Sequence, residues 1–385
     1  MTLSGKNYCS ITDGEEAVSV SNSGFFNLSG ATITKSDGGV TETSTEQDNS
    51  SFYGYNAGVL AYQAGITISN STISTTGQGS NGAFAYGSGA YVGLSGVTIT
   101  CTAQGGHGVD CTYTGAISIT NSTITTGGMN SGALATDRGG GTVNAVNCAV
   151  TTNGGDSPAI YTTGAVTAVN CTLISNDAEG VVVEGANYAV MTNCTLKGST
   201  GNRGRGVLLY NSESGDATGY TGYFTMTGGT YTWSSTTGPA FYVYSKETGI
   251  INMTGVTVVN GSATLFQAGV TGTMAATMSG ETLTGAVVSD STAGITLALT
   301  NSSTLTGAID AVGAKTCSLA LDSTSAWNVG ATSYLYILTE TAGITTSAVT
   351  NISSNGYNVY YSSSANSWLG GVTVTLTGGG SLIPY

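Results

Sequence analysis

Short apolar-polar alternations punctuated by Asn, Gly and Ser run through most of this chain. One phrase recurs, of the type turn–small–Thr–aliphatic–Thr. Its aliphatic anchors are Ile33, Ile73, Ile99, Ile124, Val150, Leu173, Leu196, Tyr231, Val258, Leu283 and Leu305, with Trp327 as a last member. Most intervals between anchors are 22 to 27 residues. The two exceptions, 40 and 35, coincide with polar insertions at 35–56 and 197–220. Repetition at such a period is the signature of a solenoid, in which each repeat buries its apolar side against its neighbours.

The segment AISITNSTITTGGMNSGALAT (116–136) shows the plan of one repeat. It reads as a first strand AISIT, a second strand STITT after Asn121, and a third strand GALAT after a glycine-rich corner. Each strand alternates with period two, and each break carries residues that favour turns. The expected fold is all-β, a single right-handed three-sided parallel β-helix, since parallel crossovers are almost always right-handed. About 12 coils, stacked ~4.8 Å apart, would give a rod of roughly 60 Å. The expected organisation is an N-terminal cap over 1–23, the β-helix over 24–339, and closing strands over 340–385. The last segment contains YNVYY (357–361) and VTVTLT (372–377), which leave the repeat phrase.

The cysteines bear on the register. Cys148, Cys171 and Cys194 are each 23 residues apart, within NCA, NCT and NCT, and Ser122 and Val97 precede them at the same phase. Small or apolar occupants at one phase predict an inward-facing column of inert thiols. Seven cysteines in all is an odd number, so a complete disulfide framework is not available.

Composition narrows the function. Only 8% of the 385 residues are charged, the net charge is −13, and Lys plus Arg number 8. That excludes a clustered basic patch and with it nucleic acid as a partner. Apolar runs stay too short to span a bilayer, so no membrane insertion is expected, and no hydrophobic signal segment follows Met1. Hydrophobic residues make up 40% and are spread evenly, which suits a core coated with Ser, Thr, Asn and Gly.

Candidate chemistry is sparse. His107, the one histidine, falls level with Asn81, Ser131, Ser157, Glu179 and Arg205, at what reads as a solvent-facing corner. Glycosidase chemistry needs paired carboxylates facing one sugar. Asp110 reads as alone on its strand, Asp137 as three positions further along the next coil, and Glu184 as three coils away. The acidic insertion 36–48 carries Asp37, Glu42, Glu46 and Asp48, which could hold calcium but read as a solvated loop. No catalytic residue, metal or cofactor is expected.

Two surfaces remain. Outward positions of the second strand form a Thr-x-Thr grid that includes Thr98, Thr100, Thr123 and Thr125, the arrangement used by ice-binding proteins. Ala149, Ile174, Lys197 and Val259 interrupt it. The third strand is apolar on both faces, which leaves an outer stripe assigned to Leu60, Tyr62, Phe84, Tyr86, Leu208, Tyr210 and Phe241. Such a stripe is covered by the chain itself or is a contact surface. The Asn-x-Ser/Thr sequences at Asn27, Asn70, Asn121, Asn170, Asn193, Asn252 and Asn301 are assigned to the corner of the repeat.

The phrases ISITNSTITT (117–126), VVVEGAN (181–187) and DSTSAWNVGATSYL (322–335) make residues 24–340 resemble the pectate-lyase-like right-handed β-helix superfold. They are most similar to the passenger domains of bacterial autotransporters and adhesin-like surface proteins. No membrane barrel accompanies them, and the catalytic signatures of the enzyme members are missing. The resemblance implies an exported or cell-surface adhesin, stalk or self-assembling structural module. Its expected partners are further copies of itself, or host or surface glycans and proteins. A polysaccharide-acting enzyme or carbohydrate binder is the alternative, and ice binding a second one.

Overall fold

The computed structural model describes residues 2–36, 44–199, 204–340 and 349–385. The described chain is almost entirely short parallel strands and divides into two compact units. The first comprises Met1–Gly204 with Ser212–Gly219, and the second comprises Arg205–Asn211 with Tyr220–Tyr385.

The first unit is a three-sided parallel β-helix of eight coils. Its first-strand ladder starts Thr2–Ser4, Phe25–Ser29, Gly65–Ser69, Tyr91–Ser95, and each strand pairs in parallel with the next. Its second-strand ladder puts Ile33, Ile73, Ile99, Ile124, Val150, Leu173 and Leu196 in one column. All seven are buried, each worth about 1.5–3 kcal/mol of apolar burial. The second unit repeats the plan in six coils, pairing Tyr231 with Val258 and stacking Leu283, Leu305 and Trp327. Val258 is half-buried and the others are buried.

The described residues form fourteen coils, eight in the first unit and six in the second, rather than about twelve. Residues 2–20, expected as a cap, supply three strands that pair in register with the second coil. Strands beyond Trp327 extend the second unit. Residues 2–20 and the strands Ser333–Leu335, Leu338–Glu340 and Val349–Ser353 carry ordinary inward residues but lack the Thr-aliphatic-Thr phrase, so periodicity alone passes over them. The chain finishes with Val374–Thr377 turning back antiparallel on Ser381–Pro384.

The corners explain the asparagines. Between first and second strands the backbone takes a left-handed conformation at Asn70, Asn121, Asn147, Asn170 and Asn193, with φ of 48–54°. Gly30 and Gly96 hold the same corner in two other coils. Asn is the non-glycine residue that best tolerates this region. Asn147 also donates to Asn121 at 3.2 Å and Asn170 to Asn147 at 3.4 Å, which links successive coils. Asn27 and Asn252 depart from expectation, since they sit within the strands Phe25–Ser29 and Thr248–Thr254.

The residue after each corner turns inward and satisfies the coil before it. The Ser71 hydroxyl accepts from the Ala31 N–H, and the Ser122 hydroxyl accepts from the Val97 N–H at 3.0 Å. Cys171 Sγ accepts from the Cys148 N–H, and Cys194 Sγ accepts from the Cys171 N–H. The three thiols are therefore buried in a single column, as their spacing requires. In the second unit a Glu281 carboxylate oxygen and the Ser303 and Ser325 hydroxyls take the same role.

Ser122→Ala strips the partner from a buried N–H, so a loss of about 1–3 kcal/mol is expected by chemical denaturation. Ser122→Cys should recover most of that loss, because a thiol already holds this place in three coils.

Candidate functional site

Register settles which side of the third strand faces out. Val59, Ala83, Val109, Leu134, Ile160 and Val181 form an inward column. Leu60, Phe84, Asp110, Ala135, Tyr161 and Val182 form the outward column beside it. Leu134 and Ile160 thus face the core.

The apolar part of that stripe is covered by the chain itself. A helix at Ser44–Tyr53, inside the first insertion, lies over Leu60 and Phe84, which are both buried. The Ser50 carbonyl accepts from the Asn81 amide at 3.0 Å, and the Phe52 carbonyl accepts from the Thr112 hydroxyl at 2.8 Å. At Gly54, just past the helix, a β-carbon would lie 2.5 Å from the Phe84 ring, so the cover fits tightly there.

Tyrosines stay outside the cover. Tyr62, 42% exposed, stacks on Tyr86 at 5.0 Å. Tyr53 and Tyr113 pack against Tyr86 edge-on, at 5.4 and 5.3 Å. Tyr53 comes from the insertion and Tyr113 from the following corner, so neither shows in the strand pattern that identifies Tyr62 and Tyr86.

In the second unit the stripe divides differently. Leu208 and Tyr210 face outward, paired with Tyr242 and Tyr244, and Arg205 stacks over the last two rings. Phe241 pairs with Val207 instead and is buried inside the coil, 5.1 Å from both Phe266 and Tyr231. It is a core residue. Its strand is apolar on both sides, so composition could not fix the parity.

The carboxylates are less scattered than they read in sequence. Asp110 pairs with Ala135, which puts Asp137 two positions further along and not three. Asp137 and Glu184 each follow the inward column through Thr136, Thr162 and Val183, so they share one outward column two coils apart. That corresponds to roughly 10 Å of backbone separation. Glu184 is buried and accepts from the Tyr161 hydroxyl at 2.8 Å and from the N–H and hydroxyl of Ser212. Arg138 binds Asp216 at 2.9 Å and lies 3.6 Å over the Phe52 ring, tying the helix and the 212–219 segment to one side chain.

Asp110 is fully buried, and neither of its oxygens has a hydrogen-bond partner among the described residues. Burial first, and the Asp137 charge second, hold its carboxyl well above the usual carboxylate range. Burial also raises Asp137, to about 7, with Asp216 and Glu184 adding and Arg138 opposing. The missed partners Arg138, Tyr161, Ser212 and Asp216 sit on different coils or in the second insertion, and only the register joins them.

Other candidates are placed as follows. The corner at Asn81, Ser131, Ser157 and Glu179 is buried and not solvent-facing, and Asn81, Ser131 and Ser157 accept from neighbouring backbone N–H groups. His107 pairs opposite Gly132, whose carbonyl lies 3.3 Å from Nδ1, and burial lowers its imidazole to about 4. The rows Thr32/Thr34, Thr72/Ser74, Thr98/Thr100 and Thr123/Thr125 are in register on the outer face, and the grid then meets Ala149. Asp37, Glu42 and the side chain of Glu46 lie outside the described residues. Among the described residues no group of three or more His, Cys, Asp or Glu is placed to hold a metal ion, and no helix is long and apolar enough to cross a membrane.

An acid whose pKa is raised on folding binds more protons folded than unfolded, so its contribution falls as pH rises through that interval. Relative to Asp137→Asn, the native protein should lose melting temperature from about pH 4 to about pH 7 and level off above. Asp110→Leu should raise melting temperature at every pH by removing an unpartnered buried carboxyl from beside Phe84. Thermal melts of both variants across pH check these outcomes.

Residues 57–221 match the family model described as "Right handed beta helix region". No curated protein matches the chain significantly. The fold is a right-handed parallel β-helix, and most of the matched stretch belongs to its first unit.

Proposed function

We propose that this chain is a non-catalytic β-helix, exported or held at a cell surface, that acts as an adhesin, stalk or self-assembling structural module. The observation that carries this reading is the state of the carboxylates. Asp110 and Glu184 are sealed beneath the chain's own insertions, and Glu184 is fully engaged by Tyr161 and Ser212. What faces outward instead is uncharged hydroxyl and aromatic surface, suited to contact with glycans, proteins or further copies of the chain. The phrase-level similarity to autotransporter passengers and adhesin-like proteins points the same way, and it is the basis for proposing export.

A polysaccharide-cleaving enzyme is the second reading. Asp137 and Glu184 share one column about two coils apart, close to the separation of inverting glycosidases, and Asp137 has the raised pKa of a general acid. Ice binding through Thr98, Thr100, Thr123 and Thr125 rests on a grid of four regular rows.

Incubation of the purified chain with soluble neutral and uronate polysaccharides should yield no new reducing ends and no unsaturated products. Cleavage that falls 100-fold or more in Asp137→Asn and Glu184→Gln would establish the enzyme reading instead. Thermal hysteresis lost on Thr123→Lys would establish ice binding.

A further inference from the structure

On the first-strand face of the first unit, Phe25, Gly65 and Tyr91 occupy one outward column on three successive coils. Phe25 is 59% exposed and Tyr91 38% exposed, on strands whose other outward residues are small or polar. Rings so placed would normally stand up into solvent or bury themselves in a partner. Here both lie down. A β-carbon on Gly65 would sit 2.4 Å from the Phe25 ring, so that ring leans over the bare Gly65 backbone. A β-carbon on Gly93 would meet the Tyr91 ring at 3.0–3.1 Å, so the tyrosine lies along its own strand over Gly93. The two glycines therefore leave the rings the room that a side chain would fill, and both rings stay partly open to solvent.

Between the rings is a cleft of about 510 Å³, lined by Ser23, Gln63, Ala64, Ser88 and the two aromatics among others, with no charged side chain in the lining. Gln63 and Ser88 project from the corners that close one side. The neighbouring column on the strands offers Asn27 and Thr67, which bond to one another. Flat aromatic faces flanked by amides and hydroxyls match a pyranose, whose C–H face stacks on a ring while its rim hydroxyls seek hydrogen bonds. The uncharged lining and the net charge of −13 disfavour anionic sugars.

We infer that the Phe25–Gly65–Tyr91 cleft is a binding site for a neutral polysaccharide, with a sugar ring stacked on each aromatic face. This inference rests on the reading of the chain as a contact module and gives it a ligand class and a location. The tyrosines around Tyr86 are a separate surface, largely engaged with one another and with the insertion helix, and they supply the control.

Affinity electrophoresis of the full chain through gels containing hydroxyethyl cellulose, glucomannan or mixed-linkage β-glucan, with polygalacturonate as the anionic comparison, tests it. At least one neutral glycan should retard the chain, with Phe25→Ala and Tyr91→Ala each weakening the interaction tenfold or more and Tyr62→Ala leaving it unchanged. Gly65→Ala keeps both rings but tips Phe25 off its floor, and it should weaken binding comparably while the melting temperature stays near native. Three results would each overturn the site: no retardation by any neutral glycan, retardation by polygalacturonate alone, or retardation indifferent to the Phe25, Tyr91 and Gly65 variants. Cleavage of a retained glycan would overturn the non-catalytic reading instead, and the three variants would then decide the site independently.

Discussion

Everything in this protein depends on each coil giving its strand N–H groups to the coil beside it in register. A coil of some two dozen residues cannot bury its apolar side alone, nor satisfy its own strand backbone. Stacking resolves both at once, and it forces residues one repeat apart into columns. A column that points inward must then be uniformly small, apolar or internally bonded. The anchors Ile73, Ile99 and Ile124 and the succession Ser122, Cys148, Cys171, Cys194 are two results of that constraint. Thiol and hydroxyl interchange in the second because the place needs only an acceptor for one N–H.

The same constraint determines the outer faces. Each outward column repeats at about 4.8 Å, so one type of residue becomes a surface when it recurs. Threonine gives a grid, and tyrosine gives a stack. A glycine opposite an aromatic residue gives the ring a floor, as Gly65 does for Phe25. Where outward residues are apolar, as at Leu60 and Phe84, the insertion helix supplies the cover. Arg138 fastens that cover through Phe52 and Asp216 at once. Burial beneath it raises the Asp110 and Asp137 carboxyl groups, while Glu184 is bonded to Tyr161 and Ser212.

Much of the fold was legible in the sequence, because the repeat phrase and the 23-residue cysteine spacing encode inward columns directly. The first coil was not, since residues 2–20 keep the alternation without the phrase. The third strand was ambiguous at Leu134, Ile160 and Phe241, because a strand apolar on both sides carries no parity signal. The surface was least legible. Tyr62 and Tyr86 repeat at one phase and were visible, whereas Tyr53 and Arg138 join them only through an insertion and a cross-coil contact. The corner around His107 read as exposed because its residues are polar, although Asn81 and Ser131 are buried hydrogen-bonding groups. Polarity signals a need for partners, and here the adjacent coil provides them.

In-register stacking is tested most directly by nitroxide labels on cysteines introduced at Thr98, Thr123 and Ala149, in a background where the exposed Cys9 is replaced by serine. Labels at 98 and 123 stand on adjacent coils at the same outward position, so their spectrum should be strongly broadened by spin–spin interaction. Labels at 98 and 149, two coils apart, should interact far more weakly. Equal or absent broadening in the two pairs would mean that these residues do not share a column, and the solenoid described here would be contradicted.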